Sequence, residues 1–286
     1  MSAIPRRQFL KRAAASSSAA LSFLKEPLGA NPLGIPLGCQ TYPVGNLIGE
    51  DFTGTIKQLA EIGFQRIELC SPVGYSGHAK FGAIAKYSGA ELRKMFGDLG
   101  VTCKSCHFSI TEYRRELPGR IAWAKDLHLT QMIVPSLHGP RNPSMDDVKR
   151  AADEFNKMAE QVAKAGIQQG LHNEGFESSM VDGQRTYDVL FKLLDPKLVK
   201  FQFQVSEVRN GYDPIAYFNK YPGRFISMHL QGWSAKTKRV VPIGQGTLDW
   251  KKIFAAAKTG GVKNYFVEMD LDMMKASVPY LRNLNV

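Results

Sequence analysis

The sequence predicts an α/β fold, a closed parallel (β/α)8 TIM barrel in a single domain, and three observations carry that reading. Helical periodicity that ends in glycine and passes at once into a short β-rich run recurs in "IKQLAEIGFQRIELC", "LRKMFGDLGVTCKSCHFS", "MAEQVAKAGIQQGLHN" and "IFAAAKTGGVKNYFVEMD". With the weaker elements filled in, eight strands each followed by a helix occupy roughly 255 residues, the usual size of such a barrel. A doubly wound open sheet is the main competitor. It needs a glycine-rich phosphate loop after its first strand, and "GCQTYPVGNLIGE" does not supply one.

The strands are expected near residues 35–41, 66–70, 101–108, 131–136, 168–173, 200–205, 225–230 and 262–268. Gly63, Gly100, Gly166 and Gly260 or Gly261 stand where helices end, in a backbone conformation that favours glycine. At the helix starts, Ser88 with Glu91 forms a capping box, and Ser144 with Asp147 a weaker one. The barrel domain is expected to span residues 31–286. Residues 1–30 precede it: "RRQFLKRAAASSSAALSFL" has a basic start and a weakly apolar, small-residue middle. That segment resembles a twin-arginine export signal, with Arg6, Arg7, Phe9, Leu10 and Lys11 in the expected pattern, which implies a periplasmic protein exported already folded. An amphipathic helix that stays attached is the alternative.

Composition narrows the function classes. The chain has 286 residues, 44% of them hydrophobic, enough for a large core and too many for a disordered chain. No run approaches the roughly eighteen apolar residues of a membrane span, so no stable membrane anchor is expected. The net charge is +11. Five basic residues against Glu26 place +4 of it in residues 1–30, which leaves +7 scattered without a basic stripe interleaved with aromatics. Nucleic acid is therefore not the expected partner. Cys39, Cys70, Cys103 and Cys106 do not make a disulfide framework in a chain this long. "CKSC" lies within a strand, where residues three apart face opposite ways, so packing is expected there rather than redox or zinc chemistry.

In a (β/α)8 barrel the C-terminal ends of the strands form the active-site floor. Those ends carry Gln40 and Tyr42, then Glu68, His107, His138, and the group His172, Asn173 and Glu174 in "GLHNEGFES". They continue with Gln204, Ser206 and Glu207, His229 and Gln231, and Glu268 with Asp270. Four of the six histidines fall at strand ends, and His78 and His128 do not. Singly, each residue has a structural reading: a strand-end histidine is often just hydrogen-bonded, Glu68 can pair with a nearby Lys or Arg, and Glu177 and Asp270 can cap loops. Together they are stronger evidence, because burying so many unpartnered polar groups costs several kcal/mol.

"GCQTYPV", "LAEIGFQRIEL", "CHFS", "AGIQQGLHNEGFE", "FISMHLQGWS", "VPIGQGTLDWKKIF" and "YFVEMD" resemble the xylose-isomerase-like superfamily of sugar isomerases and epimerases, which also includes endonucleases acting at abasic sites. The resemblance spans residues 35–283. It implies a divalent metal, Mn²⁺ or Mg²⁺, held by carboxylates and a histidine from the fifth to eighth strands. His229 and Glu268 match the ligands of the last two strands, and His172 or Glu174 would serve from the fifth. Gln204 stands where the family has an aspartate, which removes a charge from the site.

The implied chemistry is removal of a proton next to a carbonyl in a sugar or polyol, the step shared by isomerases, epimerases and keto-sugar lyases. Glu174 and Glu268 are the expected acid and base. His172 and His229 would polarise the carbonyl, and Glu68, His107, His138 and Gln204 would bind the substrate's polar groups. Trp233, in the loop "WSAKTKRVVPIGQG", is placed to stack on a sugar, while Lys236, Lys238 and Arg239 meet an anion or solvent. A non-catalytic sugar-binding barrel, favoured by Gln204, and a metal-dependent nuclease remain the alternative classes. A homo-oligomer is compatible with the sequence.

Overall fold

Eight short parallel strands close on themselves in chain order: β1 (Gly38–Gln40), β2 (Arg66–Cys70), β3 (Thr102–His107), β4 (Gln131–Val134), β5 (Gln168–Leu171), β6 (Val199–Gln204), β7 (Phe225–Leu230) and β8 (Asn264–Val267). The structure, a computed structural model, describes residues 31–77 and 80–286. The export segment and His78 lie outside the described residues. Closure comes from β8 pairing with both β7 and β1, with Gly38 opposite Phe266 and Phe266 opposite His229. The expected (β/α)8 TIM barrel is the fold observed, and each strand falls within or one residue beyond the segment foreseen for it.

Eight main helices cover the outside: α1 (Phe52–Ile62), α2 (Gly89–Asp98), α3 (Ile110–Asp126), α4 (Met145–Lys164), α5 (Thr186–Leu193), α6 (Pro214–Lys220), α7 (Trp250–Gly260) and α8 (Leu271–Arg282). Helix α4 shows why they lie as they do. Its buried residues Val148, Ala152, Phe155, Ala159 and Val162 recur every three or four positions, which makes one apolar stripe against the barrel. Ser144 and Asp147 close a full capping box at its start, as Ser88 and Glu91 do for α2. Between the two glycines that could end α7, Gly260 is helical and Gly261 takes the left-handed turn at φ 89°.

Strand periodicity sorts side chains between the two faces of the wall. In β6, Phe201 and Phe203 face out into an aromatic cluster with Tyr187, Phe191, Tyr217 and Phe218. Gln202 and Gln204 therefore face in. All four cysteines are buried and free, and burial raises the pKa of every one of these thiols. No described helix is long and apolar enough to cross a membrane.

Candidate active site

Inside the barrel, five strands contribute to one hydrogen-bonded network centred on Glu68. The carboxylate is completely buried and accepts from Gln40 Nε2 at 2.8 Å, Ser105 Oγ at 2.5 Å, Gln202 Nε2 at 2.8 Å and His229 Nε2 at 2.5 Å. Gln202 also donates to Ser227 Oγ at 2.9 Å, so its oxygen is the atom that faces His107 Nε2 at 2.7 Å. That oxygen can only accept, which makes His107 Nε2 a donor. Among the described residues Glu68 pairs with no Lys or Arg; its ionisable partners are His107 and His229. It lies beneath the cavity floor and holds two imidazoles in place, because the buried network leaves none of its lone pairs free for a substrate.

His229 joins this lower layer to the cavity. Its Nε2 meets Glu68 and its Nδ1 meets Glu268 Oε2 at 3.2 Å. Burial by itself would lower the pKa of the ring. The carboxylates of Glu268 and Glu68 overcome that and raise it to about 10, so the group is an imidazolium at neutral pH. The reciprocal effect reaches the acids. Burial opposes ionisation of Glu68 and Glu268, yet His107 and His229 hold Glu68 well below the ordinary range, and His229 lowers Glu268.

His172, Glu174 and Gln204 complete the floor. His172 is fully buried, neither of its ring nitrogens has a hydrogen-bond partner among the described residues, and burial lowers its pKa. Glu174 Oε1 lies 3.6 Å from its Nε2, too far for a hydrogen bond but close enough for ion pairing when the ring is charged. Although burial would raise Glu174, the imidazoles of His172, His107 and His229 bring it down to about 2. Gln204 donates through Nε2 to Glu268 Oε2 at 2.5 Å, and its backbone N–H donates to Asn173 Oδ1 at 2.7 Å.

Above this floor opens a cavity of about 1160 Å³, lined at its base by His107, Glu174 and Glu268. Tyr42 and Tyr75, in edge contact at 6.1 Å, form one wall, and exposed His138 stands on another. Glu68, His172, Gln204 and His229 lie behind the surface. Trp233 does not line this cavity. It belongs to a hairpin, Trp233–Ser234 with Arg239–Val240, which also carries Lys236 and Lys238 on its turn and is tied back to Thr247. Of the two residues read as loop caps, Asp270 does cap α8. Glu177 instead is buried and accepts from Leu137 N–H at 2.9 Å, with burial raising its pKa to about 8.

The donor set fits a divalent cation. Ring nitrogens of His107, His172 and His229 lie within 4.8 Å of one another, and the two unpartnered nitrogens of His172 are the kind of buried atoms that a cation completes. Three imidazoles with two carboxylates at hand make this set richer in nitrogen than the single-histidine, oxygen-rich set expected. His229 can join it only by giving up a proton now held between two carboxylates.

Residues 56–282 match the xylose isomerase-like TIM barrel family. The chain belongs to that family. Among solved structures, a sugar phosphate isomerase/epimerase from Parabacteroides distasonis is 23% identical, with 91% of this chain and 99% of that one aligned at a TM-score of 0.73. The probable 3-DHS dehydratase AsbF from Bacillus anthracis is 14% identical over 88% and 100% of the two chains, at 0.67. A xylose isomerase-like barrel from Mycobacterium smegmatis, in complex with magnesium, is 14% identical over 86% and 95%, at 0.63. At these identities the likeness establishes the fold. A search of curated proteins gives no match.

Proposed function

We propose that this xylose isomerase-like barrel is an isomerase or epimerase of a keto-sugar or polyol, working by proton transfer next to a carbonyl. One observation carries the reading: two carboxylates from different strand ends, Glu174 and Glu268, line one cavity together with His107, with buried His229 against Glu268. Glu174, half exposed and with no side-chain hydrogen-bond partner among the described residues, takes the proton from the carbon beside the carbonyl. Glu268 faces it with a proton source behind, since His229 Nδ1–H points at its Oε2. A different proton, delivered by Glu268 to the opposite face of the same carbon while Glu174 keeps the one it removed, gives an epimer. The removed proton passed by Glu174 to the neighbouring carbon, with the hydroxyl proton moving from one enediol oxygen to the other, gives an isomer. His107 lines the cavity where negative charge develops on the enediolate oxygens, and the charge of the buried His229 favours that charge from behind Glu268 without touching the substrate. The same first step followed by loss of a β-hydroxyl makes a lyase.

His172, Glu174 and Glu268, with His107 and a deprotonated His229, would hold a divalent metal. Bound there, a metal polarises the carbonyl as a Lewis acid. The imidazole content points to Zn²⁺ or Fe²⁺ ahead of the oxygen-preferring Mn²⁺ and Mg²⁺. Deuterium incorporation from D2O into a panel of ketoses and inososes, followed by NMR, tests the function. Glu174→Gln is expected to reduce exchange about 100-fold or more with the fold intact, and exchange at the wild-type rate removes Glu174 from the role of base.

A second reading is favoured by Gln204. Its amide ties up one oxygen of Glu268 where the family supplies a carboxylate, an arrangement compatible with a barrel that binds sugar without turning it over. Sugar binding with neither metal nor exchange supports that reading. Export to the periplasm belongs to the same proposal, supported by Arg6, Arg7, Phe9, Leu10 and Lys11.

A further inference from the structure

Two arginines line the cavity, Arg115 and Arg141, and they are its only Lys or Arg side chains among the described residues. Neither makes a salt bridge or a side-chain hydrogen bond within that set. Neighbouring arginines differ: Arg114 pairs with Glu154 at 2.7 Å, Arg120 with Glu112 at 3.6 Å and Arg150 with Asp147. Glu116, next to Arg115 in sequence, turns back to accept from Gly119 N–H at 3.1 Å, and Glu112, one turn earlier, is engaged through one oxygen only, its Oε2 having no hydrogen-bond partner among the described residues. Glu112 Oε1 accepts from Ser71 Oγ at 2.6 Å and faces Arg120, and the residue is 1% exposed. Arg115 is close enough to act on the Glu112 carboxylate, but among the described residues neither it nor Arg141 is directly paired, so the outer wall carries two guanidinium groups with donors to spare.

The fold takes specific steps to hold them there. Pro118 cannot donate to a helical hydrogen bond and crowds the carbonyl four residues earlier, and helix α3 is kinked at Glu116, with φ −154° and ψ 42°. The kink separates Ile110–Arg115 from the rest of the helix, and this first piece supplies Thr111, Glu112 and Arg115 to the cavity wall. Arg141 sits on the loop after β4, which is fastened to the loop after β5. Glu177 accepts from Leu137 N–H, Ser136 Oγ accepts from Phe176 N–H at 3.2 Å, and Gly139 lies so close to the Phe176 ring that a Cβ would come within 2.4 Å of it. A loop held this firmly presents its arginine without a large ordering cost on binding.

We infer that the substrate carries an anionic substituent, a carboxylate or a phosphate, which Arg115 and Arg141 bind at the outer wall while its carbonyl end reaches His107, Glu174 and Glu268. This rests on the sugar-isomerase reading and narrows it. Planar guanidinium groups suit both anions, since each offers paired N–H donors to two oxygens. The hairpin cations Lys236, Lys238 and Arg239 lie off this cavity and take no part.

Calorimetric titration with D-fructose, D-fructose 6-phosphate, 5-keto-D-gluconate and inorganic phosphate tests the inference, with D2O exchange run in parallel. The phosphorylated or the carboxylate sugar is expected to bind at least about tenfold tighter than fructose, and whichever does so names the anion. In an Arg115→Gln/Arg141→Gln double variant, with its fold checked by circular dichroism, that affinity should fall to the level wild-type protein shows for fructose. Equal binding of neutral and anionic sugars, or a preference that survives in the double variant, overturns the inference while exchange keeps the isomerase reading alive. Arginine-dependent phosphate binding without binding or exchange of any ketose does the reverse, refuting the isomerase reading and leaving the anion site. No binding of any probe overturns both.

Discussion

Replacing Glu68 by glutamine separates a structural carboxylate from a substrate ligand. The change is nearly isosteric, so its effect is electrical: the buried anion goes, and an NH2 group enters a space already filled by the donors Gln40 Nε2, Ser105 Oγ, Gln202 Nε2 and His229 Nε2. Only the serine hydroxyl can turn round to accept. Removing one partner of a fully buried ion pair destabilises by about 3–5 kcal/mol, which for a barrel of this size is a fall in Tm of roughly 6–20 °C. His229 would keep Glu268 alone as its anionic partner, so its proton should leave below the value of about 10 set by both carboxylates. The pH dependence has two arms. The depressed acids Glu68 and Glu268 contribute stability that is lost as pH falls through their folded pKa values, and raised His229 contributes stability that is lost as pH rises toward about 10. Urea unfolding followed by circular dichroism gives the stability, and long-range ¹H–¹⁵N spectra of the histidine rings give the titration. A Glu68→Gln protein within about 1 kcal/mol of wild type, with His229 titrating as before, would falsify the network as described; weakened sugar binding at unchanged stability would return Glu68 to the role of a substrate ligand.

Glu177→Gln should act in the opposite sense. A carboxyl raised to about 8 holds its proton in the folded state and loses it in the unfolded one, so wild-type stability declines as pH rises from the ordinary glutamate range through about 8. The variant should flatten that decline and be the more stable protein at pH 8, by on the order of 2 kcal/mol, in parallel melts at pH 5 and pH 8. Gln204→Asp restores the charge the family pattern contains and should raise Mn²⁺ or Zn²⁺ affinity about tenfold or more, measured by metal analysis after dialysis. Arg6→Lys with Arg7→Lys should keep the protein in the cytoplasmic fraction if the twin-arginine reading is right, whereas unchanged periplasmic recovery would refute it.

The barrel was legible because glycine stops and short apolar runs alternate with little interruption. The strand-end residues were legible because one face of each end is polar. The layer beneath was not picked out, although the signal was there: Ser105 stands two before His107, Gln202 two before Gln204 and Ser227 two before His229, the period that keeps a strand's residues on one face. What sequence could not supply was depth. Glu68 and Glu268 look alike as strand-end acids, but one is sealed beneath two imidazoles and the other is 13% exposed at the cavity. The metal-ligand geometry was also hidden, since His107 comes from the third strand and meets His172 and His229 only once the barrel closes. Arg115 and Arg141 lie on a kinked helix and a long loop, where no periodicity reports direction. Trp233 shows the converse: a conspicuous aromatic after β7 whose loop folds into a hairpin away from the cavity.

The sealed thiols bear on where this barrel can work. Cys39, Cys70, Cys103 and Cys106 are at most 4% exposed. Each would have to shed its proton in a medium that disfavours the anion, and oxidants and alkylating reagents attack that anion. A chain that matures before it meets peroxide or a disulfide-forming enzyme arrives with its sulfur already out of reach, so an oxidising milieu poses little chemical hazard to it until the strands come apart.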